Sequence, residues 1–389
     1  MCPGCGNRLV KNGRKSLIRQ TIRGTTTEKV QQWWCKTCRS SFTFRSTNTR
    51  LHFTTIFIRE AVKDFIQGRS SFAVICDRKG VSVGTLSTWV RQFGEACMSP
   101  VEMSDALRFR THNHWSGILL LDAKYLNKRQ LLLLAIDYVT LDIVAWLVAE
   151  AETVENYTKL IDLVEACGYL IKAVVSDGHP GIISLTHPPK PYFRRKWTRQ
   201  YPRPGITPAK PKFSRLAGIP HQWCVVHALR DIDRYLLKIP EEERKLIYSL
   251  IHDIFLAKTL SKSNRLKRKL EENTALAALP VRRVTAWINS HWDMLTVHFT
   301  VRVGKRKIPR SSNAIENTIS YVNIRLKTMR RLKTTASAQA ICSLIVVNYR
   351  TKCFTNPKNH YHRGKSPLSL VTGMNRRFDW MEFIKKSCS

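Results

Sequence analysis

The spacing of apolar positions divides the chain into stretches of different period. Over 55–97 they recur at helical spacing: Ile58, Val62, Phe65 and Ile66 before Gly68, then Phe72, Val74, Ile75 and Cys76. A third group, Leu86, Trp89, Val90 and Phe93, lies on one face of an expected helix Val83–Phe93, which Ser82 is placed to cap. A helix, the turn Gly80-Val81-Ser82 and a Ser-capped second helix match a helix-turn-helix DNA-binding domain over 55–97, or a plain helical hairpin packing a neighbouring domain. In the DNA-binding reading Gly84, Thr85, Ser87 and Thr88 face the major groove and Arg91 lies near phosphate.

Beyond a linker at 98–116, marked by Ser99-Pro100 and His112-Asn113-His114, the apolar residues run together as they do in strands. Strands are expected at Ile118–Asp122, Gln130–Tyr138 and Leu141–Ala149, a helix at Val154–Cys167, and a strand at Ile171–Val175 leading to Asp177. Three close strands, a helix and a strand is the order of an RNase H-like core, an α/β fold on a mixed sheet. In that order the first and fourth strands are neighbours, which puts Asp122 beside Asp177 at two strand ends. Gly178 lets backbone or DNA approach Asp177 closely, and His179 either touches a scissile phosphate or lines the turn.

A strand-like stretch from Gly218 to Cys224 is followed by charged, mostly helical segments at Val226–Ile239, Glu241–Leu260 and Arg265–Leu279, with Pro280 as a stop. A final amphipathic helix begins near Ser311. Ile315, Ile319, Val322, Leu326 and Met329 form its core stripe, and Glu316, Ser320, Asn323, Lys327 and Arg330 the adjacent polar one. Lys327, Arg330, Arg331 and Lys333 would carry positive charge from Glu316 along a DNA backbone. Asn313-x-x-Glu316 also resembles a capping box, so Glu316 has a capping reading beside the chemical one.

Charge decides between these readings. With 65 Lys+Arg against 28 Asp+Glu, net +37 and pI near 10.2, the chain of 389 residues repels itself unless a polyanion offsets it, and nucleic acid is the expected partner. No apolar run approaches the ~20 residues that span a bilayer, so no membrane role is expected. Met1-Cys2-Pro3-Gly4-Cys5 opens no signal peptide, which predicts an intracellular protein. In a reducing compartment Cys2-x-x-Cys5 and Cys35-x-x-Cys38 read as four thiolate ligands of a structural Zn²⁺ in a ribbon over 1–45. Its strands are expected at Thr21–Val30 and at Trp33-Trp34. Residues 186–215 carry nine Lys+Arg, seven prolines and no carboxylate. They read as a solvated loop, or as an arm in which Arg194, Arg195 and Lys196 track phosphates while aromatics stack on bases.

In so basic a chain, carboxylates at the ends of buried strands need a reason. Asp122, Asp177 and Glu316 suit two Mg²⁺ (or Mn²⁺) ions, hard cations that favour carboxylate oxygen and activate a phosphodiester. Cys224-x-x-His227 is a weaker signal: two ligands do not make a zinc site, and cysteine is often simply buried.

Taken together, Leu121-Asp122, Val175-Ser176-Asp177-Gly178, His221-Gln222-Trp223-Cys224-Val225-Val226-His227 and Ser312-Asn313-Ala314-Ile315-Glu316-Asn317 resemble a Mutator-superfamily DDE transposase of bacterial insertion-sequence type. The resemblance runs from the zinc ribbon to about Arg350; the Pro/Arg-rich 186–215 segment departs from it, and the last ~35 residues lie outside it. It implies an RNase H-like core at 115–225 and 305–350 interrupted by an all-helical insertion at 226–304, which the 139 positions from Asp177 to Glu316 accommodate, and leaves 351–389 as a C-terminal extension. It maps Asp122, Asp177 and Glu316 to the catalytic triad and Cys224 and His227 to the family's C-x-x-H signature. It further implies double-stranded DNA as partner, at element ends and target, and a homodimer or higher oligomer on DNA. A bacterial, nucleoid-associated location in the cytoplasm follows from it. A non-catalytic DNA-binding regulator and an RNase H-like nuclease without strand transfer are the rival expectations.

Overall fold

The computed structural model describes residues 1–21, 24–43, 53–68, 70–187, 215–274, 279–327, 334–355, 357 and 359–385. The expected Pro/Arg-rich arm with Arg194, Arg195 and Lys196, and the basic residues Arg330 and Arg331, lie outside the described residues. The chain divides into two compact units, Met1–Phe93 with Lys386–Ser389, and Gly94–Lys385.

The first unit opens with a three-stranded antiparallel sheet, β1 (Leu9–Thr21), β2 (Gly24–Cys35) and β3 (Ser41–Phe42). Two short strands were expected at Thr21–Val30 and Trp33-Trp34. The structure instead has one long strand paired with a partner the sequence did not reveal, from Leu9↔Cys35 to Thr21↔Gly24. Lys, Arg, Gln and Thr fill much of β1 without apolar alternation; its base faces a small core of Cys2, Leu9 and Cys35 with Trp33 and Phe42, and farther along Leu17 is buried. Three helices follow: α1 (Thr55–Gln67), α2 (Phe72–Lys79) and α3 (Val83–Glu95). Thr54, Ser71 and Ser82 cap them, each accepting a hydrogen bond from a backbone N–H three residues on. Gly80 closes α2 in the left-handed region at φ +62°, the conformation that makes glycine the favoured residue there.

In the second unit, Ser99-Pro100 does not mark a linker. Ser99 and Glu102 form a reciprocal capping box that starts α4 (Pro100–Ala106), a Ser-x-x-Glu signal that was present in the sequence. Next come β4 (Ile118–Asn127), β5 (Gln130–Asp137), β6 (Ile143–Ala149), α5 (Val154–Ala166), β7 (Ala173–Ser176), α6 (Pro180–Thr186) and β8 (His221–Trp223). They form one mixed sheet in the order β6-β5-β4-β7-β8, antiparallel on the first side of β4 and parallel on the other. Helix α5 covers one face with Tyr157, Leu160, Ile161 and Val164 against Leu119, Leu121, Leu131 and Leu133. The strands read as unbroken apolar runs because both faces are covered.

A helical segment packs around its own core: α7 (Val225–Leu236), α8 (Glu241–Leu256), α9 (Leu260–Thr274), α10 (Leu279–Ser290) and α11 (Trp292–Thr300). Pro280 sits in the first turn of α10 and so starts a helix instead of ending one, since the missing N–H is unneeded there. A short ribbon, β9 (Arg302–Val303) and β10 (Arg306–Lys307), leads into α12 (Asn313–Leu326). Helix α13 (Thr335–Thr351) is buried on nearly all sides from Ala338 onward, and its all-round apolar sequence gave no periodic signal. After α14 (Pro367–Thr372) the chain returns to the start of the unit, where Ile384 bridges Cys97 and Lys385 pairs with Glu102 at 2.8 Å.

Arg350 of α13 clamps the sheet. Its guanidinium makes two hydrogen bonds, of 2.7 and 2.8 Å, to the Asp142 carboxylate, with the side chains 1% and 0% exposed. Arg350→Met would strand the Asp142 charge in the core, and the expected loss is about 3–5 kcal/mol. Adding Asp142→Asn should recover part of that loss, read as the midpoint of urea unfolding. Equal losses in the single and double variants would show that the pair is not the cause.

Candidate active site

Parallel pairing of β4 with β7 ends at Leu121↔Ser176, so Asp122 on β4 and Asp177 just past the end of β7 follow directly on the last paired positions. Asp122 does not end its strand, as expected from the apolar run; β4 continues to Asn127 because its hairpin with β5 outlasts the parallel partner. Asp177 does leave its strand. One of its carboxylate oxygens, Oδ1, accepts the His179 N–H at 2.9 Å, which fixes the carboxylate to the turn. Burial first, and then the charge of Asp177, push the Asp122 carboxyl up to about 7.

Gly178 is needed for the indole of Trp223. A Cβ there would lie 1.8 Å from that ring, and φ is +87°. The close approach foreseen for backbone or DNA is therefore taken by a side chain from β8. Behind the turn runs a buried polar chain that sequence reasoning missed. Ser176 Oγ accepts the Gly178 N–H at 3.1 Å and lies 2.8 Å from His221 Nε2, while His221 Nδ1 lies 2.8 Å from Thr186 Oγ1. Burial holds His221 near a pKa of about 3, so the ring is neutral and carries one donor and one acceptor, either of which a flanking hydroxyl can meet.

Glu152, just before α5, was also missed. It accepts the Tyr157 hydroxyl at 3.0 Å, lies 3.6 Å from His179 Nδ1, and its charge adds to the rise at Asp122. Nothing in its local sequence sets it apart, because its nearness to the aspartates depends on how α5 packs.

Glu316 enters from the first turn of α12. The helix begins at Asn313 after Ser312, and no side chain caps it, so the capping-box geometry is not formed. Its Oε1 atom is buried without a hydrogen-bond partner and lies 3.8 Å from His227 Nε2. Cys224 and His227 tie α7 to α12: the buried Cys224 Sγ accepts the Ser312 N–H at 3.2 Å. Hydrogen bonding to Cys224 raises the His227 pKa against the effect of burial. Burial works to raise Cys224, but its hydrogen bonds to His227 and Ser312 outweigh it and the thiol is lowered. Asp122 and Asp177 also favour the charged imidazole. The expected core stripe of α12 is buried at Ile315, Ile319 and Val322, whereas Met329 lies outside the described residues and Lys327 is an exposed helix end.

Two further groups belong to the first unit. Cys2, Cys5, Cys35 and Cys38 come together from two turns with all four ligand sulfurs within 4.8 Å of one another, an arrangement that could bind a metal such as zinc. Hydrogen bonds from the backbone and side chain of Asn7 lower the Cys5 thiol to about 6, toward the thiolate a metal needs. On α3, Ser87, Thr88 and Arg91 are exposed and Thr85 is half-buried. Thr88 donates to the Gly84 carbonyl at 2.9 Å and the Thr85 hydroxyl lies 2.9 Å from Ser82, so these two hydroxyls are already engaged within the helix start.

Residues 214–352 match the family model described as Transposase, Mutator family, which takes in Cys224, His227 and Glu316 and stops short of Asp122 and Asp177. Residues 47–112 match a second model, described as Transposase and of helix-turn-helix type, which spans α1 to α3. No curated protein matches the chain. Among the described residues no helix is long and apolar enough to cross a membrane. These two matches support reading the chain as a Mutator-type transposase.

Proposed function

We propose that the protein cuts DNA at the ends of a mobile element and joins the freed ends to target DNA, using Asp122, Asp177 and Glu316 of an RNase H-like core. The observation that carries this is the register of β4 with β7, which sets two carboxylates side by side and leaves a buried, unbonded oxygen of Glu316 on the helix that Cys224 ties down. The donor set suits hard divalent cations. It is carboxylate only, and burial together with the charge of Asp177 holds Asp122 near pKa 7. Mg²⁺ or Mn²⁺ held by these three side chains would stabilise charge on the attacking and leaving oxygens of the phosphodiester.

The remaining residues position this set. The His179 N–H directs one oxygen of Asp177 into the turn and leaves the other for the site. The Ser176–His221–Thr186 chain holds the turn in a single arrangement. His227, whose pKa its hydrogen bond to Cys224 raises, lies 3.8 Å from Glu316 and would steady that carboxylate when protonated. The four-cysteine cluster would hold a structural Zn²⁺ that supplies folding energy to a sheet with a three-residue buried core, and with α3 it would read the element's terminal repeats. Joining two ends requires at least two protomers on DNA.

Asp122→Asn, Asp177→Asn and Glu316→Gln should each lower end cleavage and joining with Mg²⁺ by ~10³-fold or more while end binding in a gel-shift assay stays within about twofold. Joining at the wild-type rate in any of the three would remove that residue from the site. Wild-type protein that binds ends and never cleaves would mark a regulator instead.

Asp122→Asn carries a second expectation that needs no DNA. An acid raised to about 7 in the fold binds its proton in the native state and loses it in the unfolded one between pH ~4 and 7, so stability falls as pH rises through that window. In EDTA the variant should therefore melt several degrees above the wild type at pH 8, about 2–4 °C for each kcal/mol, with the gap closing at pH 4. A lower melting point at pH 8 would contradict the crowding.

Removal of the zinc by a chelator, or Cys38→Ser, should unfold the β1–β3 sheet and cut end binding about tenfold or more, with the melting of the second unit unchanged. A zinc content of one ion per chain by atomic emission is the accompanying check. Zinc-free protein with full end binding would overturn it.

A further inference from the structure

The ribbon β9–β10, with Arg302↔Lys307 and Val303↔Arg306 paired, projects between α11 and α12. Gly304, at φ +59°, takes the position that a two-residue hairpin turn reserves for glycine. Strands of two residues have little stability of their own, and the buried side chain that anchors this one is Ile308. What the ribbon presents is charge. Arg302, Lys305, Arg306 and Lys307 are all exposed, as is Arg310 just beyond, and among the described residues none of the five is paired with a carboxylate.

A depression lies on each side. One, of about 1080 Å³, is bordered by Arg306, Lys307 and Lys352 with Tyr138, Asn313 and Asn317. The other, of about 620 Å³, is bordered by Lys258, Lys307 and Arg310. Neither has an aspartate or glutamate in its lining, and Lys307 stands on the wall between them. A solvated loop would gain from interspersed carboxylates. Five cations within nine positions, none paired with a carboxylate among the described residues, repel one another unless an anion with many charges lies across them.

We infer that the ribbon and its two flanking depressions form a second DNA-binding surface, which holds duplex DNA through its phosphates and serves the target of joining. The inference rests on the transposase reading above. Duplex DNA is the occupant because a two-stranded ribbon fits its major groove, and cations on both sides of the ribbon can then reach the phosphates of both strands bordering that groove. A sequence-blind grip suits a target, because contacts to phosphate carry no sequence information. Glu316 follows Arg310 closely in the chain, so the surface runs directly into the helix that carries the third acid.

The test is the variant Arg302→Gln, Lys305→Gln, Arg306→Gln and Lys307→Gln, with its fold checked by circular dichroism and melting. Its binding to a random-sequence duplex is followed over a salt series. The slope of log K against log salt should become shallower by about 2–4, since each lost phosphate contact removes about 0.9. In a strand-transfer assay near 150 mM salt, joining to target should fall about tenfold or more and recover at low salt, with end cleavage within about twofold. An unchanged slope with unchanged joining overturns the inference, as does tighter wild-type binding to a single strand than to the duplex. Equal loss of cleavage and joining with an unchanged slope overturns it too, since the ribbon would then act on the site. If the wild type neither cleaves nor joins, the transposase reading fails, and the salt slope still decides whether the ribbon holds DNA.

Discussion

Parallel strands cannot be joined by a tight turn, so pairing β4 with β7 obliges the chain to travel through β5, β6 and α5 before it returns. That detour builds the sheet. It also forces Asp122 and Asp177, far apart in sequence, into neighbouring positions in a place with little water. Burial first, and then the charge of Asp177, disfavour the ionised Asp122, and its raised carboxyl records both. Much of the surrounding structure answers the same constraint. The His179 N–H ties down one oxygen, the neutral His221 chain braces the turn, and His227 stands 3.8 Å from Glu316.

Helix α12 depends on this arrangement from the other direction. Its N-terminus has no side-chain cap, and the Ser312 N–H that a cap might have served goes to the sulfur of Cys224. The Cys224-x-x-His227 pair therefore joins two helix starts. Cys224 fixes where α12 begins, and His227, one turn on, meets Glu316. A helix held by a neighbour in this way places its first-turn carboxylate more rigidly than a self-contained capping box would, because the acid is not used up in closing its own helix.

Charge is distributed unevenly over the fold. Asp122 and Asp177 lie at a buried sheet and Glu316 in the first turn of α12, whereas cations crowd exposed segments such as the β9–β10 ribbon. Separation of this kind keeps the acids and the cations from neutralising each other. The buried Arg350–Asp142 pair differs: its two charges neutralise each other, and it holds α13 against the sheet.

Much of this was legible in the residues themselves. The helical spacing from Ile58 to Phe93, the apolar strands from Ile118 to Val175 and the two Cys-x-x-Cys pairs each depend on neighbours within a few positions, so period and spacing suffice to read them. Pairing of the first strand with the fourth, β4 with β7, was also expected, from the likeness of the element order to an RNase H-like core. Other features were not legible, for a common reason. The long β1–β2 hairpin has no apolar alternation, α13 is apolar all round, and Glu152, His221 and Arg350 owe their roles to partners as much as 208 positions away. Local sequence specified which segments become helix or strand, whereas tertiary packing decided which charges would be desolvated. Desolvation depends on everything that surrounds a group, and no stretch of sequence contains its own surroundings.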